Sequence, residues 1–217
     1  MSASKRPLLL GHRGASKYAA ENTFEAFELA LQHGCDGFEF DVRYTKDRQC
    51  VVCHDAVHGR KRIGARRLED LNLPSAERVI QDYASRAFLD IELKVAGDAR
   101  SIFGSLAKAG PASRYIISSF KPDILYSIAS MVPAVRLGLI CESPRQLKRW
   151  PKMPIRAVMI HFSLASPAVV DEILSAGRQV FVWTVNRARE MERLASLGVD
   201  GLISDDTRLL ARTLGGA

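Results

Sequence analysis

The chain has 217 residues, 47% of them hydrophobic, and a formal net charge of +7. Such a composition supports a sizeable core and excludes an intrinsically disordered chain, and no apolar run approaches the roughly 20 residues of a membrane-spanning helix. The positive charge suits a nucleic acid, an anionic lipid or a phosphate substrate, and does not choose among them.

The opening "MSASKRPLLLGHRG" starts basic, but its apolar run soon meets His12 and Arg13. It is too short for a signal peptide, so an intracellular, cytoplasmic protein is expected. "PLLLG" (7–11) reads as a first strand. A helical pattern follows over 23–33, with Asn22 or Thr23 as its cap and Glu25 in its first turn, where negative charge suits the helix dipole. "DGFEFDVR" (36–43) reads as a second strand. "CVVC" (50–53) follows it after only "YTKDRQ", too short for a helical crossover. A β-hairpin inside the second strand-to-helix connection is therefore expected. With an even turn at "DR" or "KDRQ", paired residue numbers sum to 95 and His54 lies opposite Asp41. Cys50 and Cys53 are three apart, on opposite faces of a strand, and read as structural rather than zinc-binding or bridging.

Further strand patterns fall at 87–94, 114–118, 135–140, 156–160, 179–184 and 199–203. Helical patterns alternate with them at 75–84, 98–109, 121–131, 144–149, 167–176, 187–196 and 205–213. Gly34, Gly110, Gly177 and Gly198 each follow a helical stretch, where a left-handed cap is needed. "HGCDGFEF" and "LGVDGLIS" repeat one cap-then-strand unit. Eight strand–helix units without a long linker predict an α/β fold: a (β/α)8 TIM barrel, one domain over residues 1–217.

In such a barrel the site lies at the C-terminal ends of the strands. Strand one ends in Gly11-His12-Arg13-Gly14, strand two carries Glu39 and Asp41, and strand three carries Asp90, Glu92 and Lys94 on one face. Phe38, Phe40 and Val42 alternate with the two acids of strand two, so the acids face the barrel axis. Converging carboxylates repel unless a cation joins them, and hard oxygen ligands suit Mg²⁺ or Ca²⁺. Glu39, Asp41 and Glu92 are the candidate ligands; the competing reading is a buried salt-bridge network closed by Lys94 and Arg13. His12 and His54 flank the cluster and suit general acid and base roles. Arg13 and Lys94 supply fixed charge for a phosphate oxyanion. Together these residue types describe metal-assisted attack on a phosphodiester. His33, His58 and His161 read as structural, with His161, at the end of strand six, the nearest to the pocket.

The ordered motifs "GHRG" (11–14), "ENT" (21–23), "EFDV" (39–42), "TKD" (45–47), "HD" (54–55), "IELK" (91–94), "SSF" (118–120), "WTVN" (183–186) and "GVDGLISD" (198–205) resemble the glycerophosphodiester phosphodiesterase family along nearly the whole chain. The resemblance implies a (β/α)8 barrel and one divalent cation, Mg²⁺ or Ca²⁺, with Mn²⁺ as a further option. It implies hydrolysis of a small-molecule glycerophosphodiester to an alcohol and glycerol 3-phosphate. By motif position it matches Glu39, Asp41 and Glu92 to the metal, His12 and His54 to the acid/base pair, and Arg13 and Lys94 to the phosphate. Asn22 matches a position that reaches the substrate or supports His12, and Trp183 an aromatic at the mouth that packs on the substrate.

The chain departs from the family after "HD". It lacks the Leu and Arg-Thr-Thr of that segment, and residues 55–91 are all that separate His54 from Glu92. This shortened insertion implies a more open mouth, with room for a lipid-like diester, so lysophospholipid hydrolysis on the same site is an alternative. A binding domain without catalysis is a second one, opposed by the complete set of polar residues. Nucleic acid, argued by charge alone, is not expected as a partner. "RKRIGARR" (60–67) reads as a solvated loop or as a substrate-attracting rim.

Overall fold

The computed structural model describes residues 6–109 and 114–215. Eight parallel strands close on themselves: β1 (Leu8–His12), β2 (Gly37–Tyr44), β6 (Phe88–Leu93), β7 (Tyr115–Ser119), β8 (Leu137–Cys141), β9 (Ala157–His161), β10 (Gln179–Trp183) and β11 (Gly201–Ser204). β1 pairs with both β2 and β11, which completes the barrel. The helices α1 (Phe24–Gln32), α2 (Ala76–Tyr83), α3 (Arg100–Ala109), α4 (Pro122–Met131), α5 (Pro144–Leu147), α6 (Pro167–Ser175), α7 (Ala188–Ser196) and α8 (Thr207–Leu214) fall between and after the strands. The expected (β/α)8 barrel is thus present, with each strand within two residues of its sequence-based bounds at either end. α5 is shorter than expected, a single turn; Pro151 follows, and residues Trp150–Lys152 tighten into a 3₁₀ turn instead.

Two layers of core build the fold. Leu10, Phe88, Ile116, Met159, Phe181 and Ile203 fill the barrel interior. Phe38, Phe40 and Val42 point outward from β2 and are fully buried under the helices, as their alternation with Glu39 and Asp41 requires. Phe27 of α1 stacks on Phe38 with ring centroids 4.2 Å apart. Thr23 caps α1, its hydroxyl accepting from Ala26 N at 3.2 Å, and Asn22 is left for other work.

The repeated cap-then-strand unit has a shared purpose. Gly34 and Gly198 take φ values of 95° and 79°. Asp36, two residues on, accepts from Leu9 N at 2.8 Å, and Asp200 accepts from Val180 N at 2.9 Å. Each acid ties the entry of its own strand to the strand beside it. Gly177 has φ 70° and fits the same cap role; Gly110 lies outside the described residues.

The hairpin exists, with a different register. β3 (Cys50–Val52) runs antiparallel to β2 and pairs Val42 with Val52, Arg43 with Val51 and Tyr44 with Cys50. The paired numbers sum to 94, not 95. The turn is the odd five-residue loop 45–49, because Thr45 closes it: its hydroxyl accepts from Gln49 N at 3.0 Å and donates to Asp47 at 2.5 Å. Arg48 takes the left-handed position at φ 61°. Asp41 therefore faces Cys53, whose N–H donates to the Asp41 carbonyl at 3.0 Å, and His54 lies two residues past Val52, where the ladder ends. Cys50 and Cys53 are free thiols, as are Cys35 and Cys141. The shortened insertion forms a second small hairpin, β4 (Val57–His58) with β5 (Lys61–Arg62), followed by two 3₁₀ turns.

Candidate active site

The turn after β1 depends on glycine. Gly14 has φ 82°, and a Cβ on it would meet backbone of Ala26 at 2.6 Å. This close approach seats Arg13 and Asn22, which themselves take left-handed φ values of 56° and 59°. Such a conformation costs a non-glycine residue about 1–2 kcal/mol. Polar contacts offset it here: Arg13 N donates to Glu39 at 2.9 Å, and Asn22 N donates to the Arg13 carbonyl at 3.0 Å.

The strand registers bring the acids together. Glu39 lies beside His12 on one side and Asp90 on the other, and Asp41 lies beside Glu92. Glu39, Asp41 and Glu92 each offer an oxygen within 4.8 Å of the others, and all three are buried. Asp90, level with Glu39, accepts from Ser118 Oγ at 2.6 Å. Asn22 turns its amide to Asp41, donating to Oδ2 at 2.8 Å and accepting from Asp41 N at 3.3 Å.

Two cations enter this cluster. Lys94 Nζ lies 2.8 Å from Glu92 and 3.3 Å from Asp41, and Arg13 Nε lies 3.4 Å from Asp41. The salt bridges allowed by the sequence are present, but with all four buried acids ionised they would face only two cations, a shortfall of two charges. Burial, with Asp41, Asp90 and Glu92 adding to it, pushes Glu39 well above the usual carboxylate range. Burial and Asp41 also raise Glu92, against the pull of Lys94. Burial carries Asp90 up to about 8. Glu39 Oε1 and Asp41 Oδ1 have no hydrogen-bond donor among the described residues; Lys94 reaches the latter only as an ion pair. Two open carboxylate oxygens, an all-oxygen donor set and a deficit of two charges fit a hard divalent cation.

The histidines stand at the mouth, each oriented by an acid. His12 Nδ1 lies 2.6 Å from Asp205 Oδ1, and His54 Nδ1 lies 2.9 Å from Asp55 Oδ1. Asp205 also accepts from Asn186 Nδ2 at 2.6 Å and Ser16 Oγ at 3.1 Å. Burial works upward on Asp205, but the hydrogen bonds from His12 and Asn186 outweigh it and hold the group at about 2. An ionised Asp205 makes Nδ1 the N–H and leaves Nε2 of His12 for chemistry. The Arg43 guanidinium fixes the His54 backbone, donating twice to its carbonyl at 2.8 and 2.6 Å.

His12, Arg13, Glu39, His54, Asp90, Glu92, Lys94 and Glu142 line a cavity of about 250 Å³, and Phe120, Ile140, Met159, Trp183 and Ile203 supply its apolar wall. Trp183 is locked in plane: Nε1 donates to the Met159 carbonyl at 3.0 Å, and its ring meets Phe120 and His161 edge-on at 5.6 and 5.2 Å. His161 thus props Trp183 from behind and is not part of the cavity lining. A larger cavity, about 530 Å³, opens at the other end of the barrel among Arg6, Arg86, Arg114 and Arg136. It has neither histidine nor a carboxylate cluster, and it lies at the strand N-termini, away from the end where barrel chemistry occurs.

The sequence profile of the glycerophosphoryl diester phosphodiesterase family matches residues 12–81 and 84–209. A glycerophosphodiester phosphodiesterase of Caldanaerobacter subterraneus subsp. tengcongensis is 30% identical over 94% of this chain and 96% of its own. The chain belongs to the glycerophosphoryl diester phosphodiesterase family. A putative glycerophosphodiester phosphodiesterase of Bacillus subtilis is 28% identical, over 91% of this chain and 93% of that one. Among solved structures, an Oleispira antarctica phosphodiesterase in complex with the product sn-glycerol-3-phosphate superposes with a TM-score of 0.87, at 23% identity and covering 97% and 98% of the two chains. The Thermotoga maritima glycerophosphodiester phosphodiesterase gives 0.82 at 24% identity, covering 96% and 98%. At these identities the structural likeness speaks for the fold.

Against this family frame, the structure gathers His12, His54, Arg13, Lys94, Glu39, Asp41, Glu92 and Trp183 around one cavity. Asn22 supports Asp41 rather than His12. Sequence reasoning assigned no role to Asp205, Asp55, Asp90 or Arg43. Asp205 sits inside the "GVDGLISD" motif, but its partner is 193 residues away, and no local pattern reveals the pair. Asp55, directly after His54 in the "HD" motif, carried the clearer signal.

Proposed function

We propose that this phosphodiesterase cleaves glycerophosphodiesters to glycerol 3-phosphate and an alcohol in the 250 Å³ cavity, with Glu39, Asp41 and Glu92 holding one Mg²⁺ or Ca²⁺ ion. The observation that carries this reading is the buried acid trio, with its open oxygens and missing charge, between two acid-oriented histidines. Bound there, the cation supplies Lewis-acid polarisation of the phosphoryl group. Arg13 and Lys94, both already turned toward the acids, bind the phosphate oxygens and stabilise the charge that builds on them. Asp205 and Asp55 hold the imidazoles so that Nε2 of each presents to the phosphate. One imidazole takes the proton of the attacking hydroxyl as the new P–O bond forms; water gives glycerol 3-phosphate directly, whereas the glycerol 2-hydroxyl gives a cyclic phosphate that water then opens to glycerol 3-phosphate by the same pair of proton transfers. The other, as imidazolium, gives its proton to the departing alkoxide as the old P–O bond breaks. Trp183, fixed by Met159 and His161, packs against the organic part of the substrate.

A substrate panel tests the reading. Chain stripped with EDTA and reloaded with Mg²⁺, Ca²⁺ or Mn²⁺ is given glycerophosphocholine, glycerophosphoethanolamine and a lysophospholipid, and glycerol 3-phosphate, or lysophosphatidate from the last, is measured. Metal-dependent release from the first two is expected. No release with any metal would overturn the assignment.

A further inference from the structure

We infer that the β4–β5 hairpin is an anchor for anionic lipid, holding the mouth of the barrel against a membrane surface. The hairpin leaves the second strand-to-helix connection at the same end as the site. Arg60 is six residues from His54, so chain length alone keeps it within about 20 Å of that histidine. The ladder pairs Val57 with Arg62 and His58 with Lys61. Gly59 and Arg60 form the turn, with φ values of 56° and 67°. Two consecutive left-handed residues make the turn type that favours Asn-Gly or Gly-Gly. An arginine there is strained, and the fold keeps it at the tip.

The hairpin is rigidly based. Ile63, 1% exposed, packs with Val51 and Leu71, and its N–H donates to the Ala56 carbonyl at 3.0 Å. The cations of "RKRIGARR" then divide into two sets. Arg66 is spent on the carbonyls of His58 and Asp70, and Arg67 pairs with Asp47 and Glu69. Arg60, Lys61 and Arg62 are exposed, and no ion pair or hydrogen bond engages their side chains among the described residues. The nearby acids are committed elsewhere: Asp55 to His54, Glu69 to Arg67, and Asp70 to the Arg67 N–H.

Apolar side chains at the same end select the partner. Val57, 48% exposed, sits on the hairpin, and Phe162, 40% exposed, follows β9 on the far side of the mouth. Cations beside protruding apolar groups suit the boundary between lipid headgroups and acyl chains. A nucleic acid backbone would use the cations and leave Val57 without a role, and a small diffusing anion would need neither apolar group. The inference stands apart from the reaction proposed above, since none of these residues touches the cavity.

The test is sedimentation of the full chain with phosphatidylcholine vesicles, with and without about one-third phosphatidylglycerol, in low and high salt. Binding to the anionic vesicles alone, lost as salt shortens the Debye length from about 10 Å at 0.1 M toward ~3 Å at 1 M, is expected. Each cation removed should weaken partitioning about fivefold, and the triple variant R60N/K61S/R62S on the order of a hundredfold. Asn at position 60 accepts the left-handed turn, and K61E provides a second variant that leaves the turn untouched. Val57→Asp should weaken vesicle binding in the same direction. Turnover of soluble glycerophosphocholine should be unchanged in all of them, which separates lipid docking from the chemistry. Equal binding to neutral vesicles, wild-type binding by both cation variants, or tighter binding to a random DNA duplex than to the anionic vesicles would overturn the inference.

Discussion

His12 Nδ1 and Asp205 Oδ1 lie 2.6 Å apart, joining the end of the first barrel strand to the end of the last. Asp205 accepts two further hydrogen bonds, from Asn186 and Ser16, so the imidazole leans on a fixed anion rather than a mobile one. General acid–base transfer contributes about 10²–10⁴-fold to a rate, and part of that depends on ring orientation. Asp205→Asn should lower kcat about tenfold to hundredfold in this frame while KM and the metal-induced rise in Tm stay near wild type. A parallel loss of metal response would show that Asp205 instead supports the acid cluster.

The same pair sets a pH limit on stability. Asp205 falls from its ordinary 3.8 to about 2 in the folded chain. Above pH 4 it is ionised in both states and its stabilisation is complete. As pH falls through the window from about 4 to 2, the unfolded chain takes up the proton first and the contribution is lost. With 36% of the side chain exposed, solvent screening reduces the effect to about 1 kcal/mol. Urea melts at pH 5 and pH 3 should show wild type losing more than Asp205→Asn across that interval.

The acid cluster makes a crossed prediction. Asp41 is 1% exposed with one oxygen lacking a hydrogen-bond donor, and its charge raises both Glu39 and Glu92. Asp41→Asn removes like-charge repulsion and a metal ligand together. Activity should fall by about 10²-fold or more, and the rise in Tm on adding Mg²⁺ or Ca²⁺ should disappear. The Tm of the metal-free variant should equal or exceed that of metal-free wild type. A drop in metal-free Tm would mean that the ion pairs to Lys94 and Arg13 are worth more than the repulsion, as in a purely structural network.

Much of this was readable from the chain because periodicity and chemistry agreed. Phe38, Glu39, Phe40, Asp41 and Val42 alternate so strictly that only one face could be core, which placed the acids on the barrel axis before any coordinates. What escaped depended on single side chains acting over distance. The hairpin register turned on the Thr45 hydroxyl closing a five-residue loop, and strand pattern carries no information on that choice. The commitment of Asn22 to Asp41 rather than His12 follows from a left-handed backbone at position 22. The Asp205 contact needed closure of the barrel, which sequence spacing implies only as topology.

The stacked pair Phe27 and Phe38 connects core to site. Phe38 is fully buried, and its neighbour Glu39 takes position from the same strand. Phe38→Ala should cost about 3–5 kcal/mol. Phe38→Leu should cost much less and leave metal binding intact. Urea titrations of both variants check the ratio, and an alanine cost below that of leucine would contradict the packing described.

The register one residue short of His54 gives Arg43 its importance. With the ladder ending at Val52, no strand pairing holds His54; the two hydrogen bonds from Arg43 to its carbonyl do so. Lysine keeps the charge but has no planar fork to donate twice to one oxygen. Arg43→Lys and Arg43→Ala should therefore both lower kcat, by about tenfold to hundredfold if half of the acid–base contribution is lost on a logarithmic scale. Stability should change by only about 1 kcal/mol, since the site is half-exposed and the core beneath it is untouched. Because the defect lies in placing an imidazole, substrates with a better leaving group should be less affected if His54 is the acid, and equally affected if it is the base. Comparing glycerophosphocholine with a p-nitrophenyl diester of glycerol phosphate in both variants measures that difference. Wild-type kcat in Arg43→Ala would show that His54 is held by the Asp55 carboxylate alone.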